Sequence, residues 1–158
     1  MLPEPQITAA GQTNATLVDR SLPSDFRWVR RAIHETLDIL RADGQRPQDV
    51  DTIEIILAEA LNNVVEHAYE GEEGKGEIRL NMRKRGSSLM IEIRDRGRPM
   101  PNGRVPVGNH PMCEFNPKDA MPEGGYGWFL IRELVLDLIY DRKDGENILF
   151  MTYRTGER

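Results

Sequence analysis

One stretch limits what this chain can fold into more than any other: EIILAEALNNVVEHAYE, from Glu54 to Glu70. At about 100° per residue it winds as a helix, one that opens near Pro47 and runs to about Tyr69. On that wheel Ile53, Leu57, Ala60, Leu61, Val64 and Ala68 share a broad apolar arc, and Glu59, Asn63 and Glu66 fall on a narrow stripe elsewhere. Asn63 lies one turn beyond Glu59, so their side chains are neighbours. An ordinary wet stripe would favour Lys, Glu or Arg, because Asn is a poorer helix former. Taken alone, the segment still reads as a helix with a solvated polar face. The rest of the chain weighs against that.

Upstream, SLPSDFRWVRRAIHETLDILRADG predicts another helix. Ser24 or Asp25 can cap it, Phe26, Val29, Ile33, Leu37 and Leu40 repeat at helical spacing, and Gly44 stops it. Residues 14–22 show a mediocre strand alternation, and residues 1–13 read as a mobile tail. Downstream, Gly71, Gly74 and Gly76 break the chain before two alternating strands, with Ile78, Leu80 and Met82 on one and Leu89, Ile91 and Ile93 on the other. Two residues beyond Ile93, the buried face receives Asp95. A carboxylate there needs donors, either its own backbone in an Asx turn or a ligand.

From Arg98 to Glu123 all period is lost, and six of the ten prolines lie there. A loop that long inside one domain is a lid before it is a linker, since the residues beyond it are too few to fold alone. Gly124, Gly125 and Gly127 then lead into a helix carrying Ile131, Leu134, Val135 and Leu138. Such glycines either form a plain turn or let backbone amides approach an anion at a helix start. LIYDR, a DGEN turn and ILFMTYR close the chain as a hairpin. The expected fold is α+β, a two-layer sandwich of mostly antiparallel sheet with helices on one face. It comprises a tail over 1–13 and a single domain over 14–158, with a lid at about 98–124.

Composition narrows the function classes. Hydrophobic residues make up 39% and charged ones 30%, as in globular rather than disordered chains. The net charge of -5 and the lack of a basic run argue against nucleic acid as a direct partner. No apolar run spans a membrane, and the first residues lack the pattern of a signal peptide. Cys113 stands alone and fits a reducing cytoplasm, and His34, His67 and His110 are too dispersed for a metal pattern. There is no Walker A loop, and GGYG lacks the setting of a dinucleotide fingerprint.

Taken in order, EALNNVVEH, DRGRP and GGYGWFL resemble the N box and the two glycine boxes of the GHKL ATP-binding superfamily, which has the Bergerat fold. Within it the chain resembles the bacterial anti-sigma-factor serine/threonine kinases, through its short single domain, His67 in the N box, DRGRPMP and PEGGYGWFLI. The resemblance covers nearly everything from about residue 14 onward.

That resemblance implies ATP and Mg²⁺ as cofactors. It makes Glu59 the general base, Asn63 the Mg²⁺ ligand and Asp95 the acceptor for the adenine amino group. Gly97 would allow close approach of the base, and Gly125, Tyr126 and Gly127 would offer amides to the phosphates. The implied partners are a sigma factor and an anti-anti-sigma (STAS-type) protein that accepts the phosphoryl group, and the implied assembly is a homodimer. Two other readings stand beside it: a nucleotide-gated binding module without kinase activity, and an ATPase with water as acceptor. The chain departs from the pattern at Pro99, where many members have a second Gly, and at Trp128, which replaces a common Leu.

Overall fold

The computed structural model describes residues 6–7, 13–108 and 126–156. Gly124, Gly125, His110, Cys113 and most of the expected lid lie outside the described residues. The described chain forms β1 (Gln6–Ile7), β2 (Thr13–Pro23), α1 (Phe26–Ala42), α2 (Pro47–Asn63), a π-helical turn (Val64–Ala68), β3 (Glu77–Arg85) and β4 (Ser88–Asp95). A short 3₁₀ turn (Pro101–Gly103), α3 (Tyr126–Leu134), β5 (Asp137–Lys143) and β6 (Glu146–Arg154) complete it. The strands form one six-stranded sheet in the order β1-β2-β3-β4-β6-β5, with every pairing antiparallel.

The two layers arise from the side-chain periods. Ile78, Leu80 and Met82 of β3 and Leu89, Ile91 and Ile93 of β4 point into the core, with their intervening neighbours at least partly exposed. Val29, Ile33, Leu37 and Leu40 of α1 and Ile53, Ile56, Leu57 and Leu61 of α2 meet them. Each such side chain stabilises the fold by about 1.5–3 kcal/mol. Asp25 caps α1, its carboxylate accepting from the Arg27 amide at 2.8 Å. Ser24 instead is fully buried, and its hydroxyl accepts from the Gly76 amide at 3.0 Å, tying the end of β2 to the start of β3. Within the expected tail, Gln6–Ile7 pairs with Asn14 and Thr13.

The start of α2 is anchored to the last strand. Asp49 is buried, and its carboxylate accepts from Arg46 at 2.9 Å, the Tyr153 hydroxyl at 2.8 Å and the Gly156 amide at 3.3 Å. The Arg46 guanidinium holds the Asp49 carboxyl below the usual carboxylate range. Hydrogen bonds to a buried charge are each worth about 1.5–3 kcal/mol, so Asp49→Ala is expected to lower stability by roughly that amount. Its contribution is present above the ordinary carboxylate pKa and is lost as pH falls through the depressed native value. Denaturant titration of wild type and variant should therefore converge toward low pH; a constant gap would contradict this.

Candidate functional site

The last turn of α2, the end of β4 and the first turn of α3 surround a cavity of about 430 Å³. That lies within the roughly 300–1,000 Å³ usual for small-molecule sites. Asn63, Asp95 and Gly127 all line it, with Val64, Trp128 and Leu149 among its apolar walls. Residues Arg98 to Pro101, together with Pro106, bring the root of the expected lid to its rim.

Glu59 stands against Gly127 rather than on the cavity wall: a methyl group on Gly127 would overlap the Glu59 carboxylate and come 3.7 Å from Asn63 Nδ2. A side chain at Gly127 would therefore displace the Glu59 carboxylate from its place beside Asn63. Asn63 Nδ2 is buried without a hydrogen-bond partner among the described residues. A buried donor left without an acceptor is costly, and in a cleft it marks a place where a partner arrives with a ligand. Tyr126 and Gly127 are the first described residues of α3, and Gly127 lines the cavity.

Asp95 is 6% exposed. Its Oδ1 accepts from the Gly97 amide at 2.8 Å and from Asn147 Nδ2 at 2.8 Å. The first bond is the Asx turn, so the local reading of this aspartate holds for one oxygen. Oδ2 takes no hydrogen bond among the described residues and is left for the cavity. Burial pushes the Asp95 carboxyl up, against the opposing pull of the Asn147 and Gly97 hydrogen bonds. Gly97 acts through its backbone: a side chain there would overlap the Ala68 carbonyl, which accepts from the Arg98 amide at 2.8 Å.

Glu66 leaves the stripe expected of it. The π-helical turn carries an i→i+5 bond from the Tyr69 amide to the Val64 carbonyl, which shifts the wheel, and Glu66 and His67 end up exposed. His67 nonetheless borders the cavity. Trp128 is buried and also lines the cavity. Sequence reasoning missed Asn147, Tyr140, Arg142 and Arg132. The available signal was the bare Asp95, whose register partner in β6 is Asn147.

The chain matches the family described as Histidine kinase-like ATPase domain over residues 22–153. It belongs to that family. Relatives named serine-protein kinase RsbW include those of Bacillus cereus (strain AH820), 31% identical over 89% of this chain and 87% of the relative, and of Oceanobacillus iheyensis, 25% identical over 92% and 91%. The RsbW of Bacillus subtilis is 24% identical over 93% of this chain and 91% of its own length. Among solved structures, the RsbU and RsbW domains of Rv1364c from Mycobacterium tuberculosis superpose with a TM-score of 0.60 at 17% identity. That match covers 89% of this chain but 33% of the other, and it speaks for the fold. The α+β architecture and the GHKL resemblance expected from the sequence both hold. Among the described residues, no helix is long and apolar enough to cross a membrane.

Proposed function

We propose that this protein is an ATP- and Mg²⁺-dependent protein serine/threonine kinase of the anti-sigma type, acting in the cytoplasm on a STAS-type anti-anti-sigma protein and also binding a sigma factor. The observation that carries the reading is that Asn63, Asp95 and Gly127 line one cavity, with the Glu59 carboxylate packed against Gly127 just outside its wall.

The residues fit the cofactors. Mg²⁺ prefers oxygen ligands and is commonly held by few protein groups together with substrate phosphates. Among the described residues no set of three or more His, Cys, Asp or Glu could hold a metal. One amide oxygen from Asn63, completed by phosphates, is a donor set of the Mg²⁺–nucleotide kind. When bound, Mg²⁺ neutralises phosphate charge and orients the transferred group. The chain's own residues do the rest. Asp95 Oδ2 accepts from the adenine amino group, and Gly97 lets the base lie close. The amides of Tyr126 and Gly127 would serve phosphate oxygens, as would that of Gly125, which lies outside the described residues. Glu59 takes the proton from the attacking serine or threonine hydroxyl. The test is a labelled-ATP transfer assay with candidate anti-anti-sigma proteins. Label on a serine or threonine of the partner is expected; label released only to water would replace the kinase reading with an ATPase.

Acidification should act on binding and on folding with opposite signs. The two donors on Oδ1 direct a proton to Oδ2, where it would meet the adenine amino group with a hydrogen instead of a lone pair. ATP affinity should therefore fall at a higher pH than an ordinary carboxylate would dictate. Because the folded pKa is raised, the stability contribution of Asp95 is full below the ordinary carboxylate value and is lost as pH rises through the native one. Subtracting Asp95→Asn from wild type isolates both effects in ATP titrations and thermal melts; parallel pH trends would contradict the assignment.

A further inference from the structure

Asn147 is 4% exposed and ties together several segments around the cavity. Its Nδ2 donates to Asp95 Oδ1 at 2.8 Å, to the Arg98 carbonyl at 2.9 Å and, more weakly, to the Gly97 carbonyl at 3.4 Å. Its Oδ1 accepts from the Tyr140 hydroxyl and from Arg142 Nη1, each at 2.6 Å. The orientation of this amide is forced. A guanidinium cannot accept a hydrogen bond, so the atom facing Arg142 must be oxygen. A flipped amide would set its oxygen against three others and its hydrogens against a cation.

The Tyr140 hydroxyl, having donated to Asn147, accepts from the Met100 amide at 3.1 Å. Met100 lines the cavity and lies at the root of the expected lid. Arg132 Nη2 holds the same segment further on, donating to the Val105 and Pro106 carbonyls at 3.0 and 3.1 Å. A continuous path therefore runs from Met100 through Tyr140 and Asn147 to the carboxylate of Asp95. None of its members beyond Asp95 is one of the motif residues assigned above.

We propose that Asn147 and Tyr140 are positioning residues that aim the free oxygen of Asp95 at the nucleotide base and lock that aim to the position of the lid root. Two donors on Oδ1 pin the carboxylate plane, which leaves Oδ2 one direction in which to accept. Without Asn147 the carboxylate keeps only its turn to Gly97 and can rotate. Without the Tyr140 hydroxyl the Met100 amide loses its acceptor and Asn147 loses one of its two restraints. Base selectivity and lid-root order then decline together. The proposal rests on the ATP-binding reading.

The test measures binding and exchange, with no need of a phosphoryl acceptor. Wild type, Tyr140→Phe and Asn147→Ala are titrated with Mg-ATP and with purine riboside triphosphate, which lacks the exocyclic amino group, and amide hydrogen exchange is followed over residues 100–105. Wild type should favour ATP. Tyr140→Phe should cut the ATP preference by about 5- to 10-fold, the usual worth of one hydrogen bond, with the analogue nearly unaffected. Exchange at the lid root should quicken in the same variant. Tyr140→Phe keeps the ring and its packing, so it decides the matter even if Asn147→Ala fails to fold. An unchanged ATP-to-analogue ratio, or unchanged exchange, in Tyr140→Phe overturns the proposal while leaving the ATP reading intact. Wild type that binds neither nucleotide overturns the ATP reading and the proposal with it; wild type that binds both equally overturns the proposal alone, since the amino group is then not recognised.

Discussion

Glu59→Gln should bind Mg-ATP as wild type does and transfer its phosphoryl group about 10²–10⁴ times more slowly, the usual worth of a general base. The amide is nearly isosteric, so the one-turn spacing to Asn63 and the fit against Gly127 survive. What is lost is the capacity to take a proton. Glu59 is only partly buried, so the change leaves no orphaned charge and little stability is at stake. A single-turnover assay with saturating nucleotide separates binding from chemistry. Transfer at the wild-type rate would assign the base elsewhere.

The second large effect is a contrast between two glycines. Gly97→Ala forces a methyl group into the Ala68 carbonyl, which is backbone and cannot move aside without losing its bond from the Arg98 amide. A loss of about 3 kcal/mol is expected, or a melting temperature lower by roughly 6–12 °C for a chain of this size. Gly127→Ala meets only the end of a flexible carboxylate, that of Glu59. The helix gains up to about 1 kcal/mol from the better helix former, so the fold should hold while transfer fails. Thermal melts paired with the transfer assay check both. Equal stability of the two variants would mean that the Ala68 contact relaxes easily.

The layers were legible because burial and period agree. Ile78, Leu80 and Met82 alternate in the sequence and are all fully buried. β2 read poorly because a bulge between Thr16 and Val18 shifts its register, leaving Val18 and Leu22 as its buried apolar residues. Glu66 was misplaced because a wheel of constant pitch does not anticipate a π-helical turn. At the site, Asp95 could be singled out as a carboxylate in need of donors, but their identity depends on β4 pairing with β6. A register between strands distant in sequence leaves no local trace. Gly127 was expected to present its amide to a phosphate; its closeness to Glu59 depends on how α3 docks against α2, which one sequence does not encode visibly.

The widened turn after Asn63 gives one helix two addressees. Regular winding through Val64–Ala68 would rotate everything beyond it by about 100° per residue of surplus. The Ala68 carbonyl would then point away from the Arg98 amide, and the strand end bearing Asp95 would lose its berth on the helix. One surplus residue works as a phase shifter: it lets the upstream turns serve the chemistry and the downstream end serve as a mooring. Excising a single residue there would dismantle the cleft while Glu59, Asn63 and Asp95 all remained in the sequence.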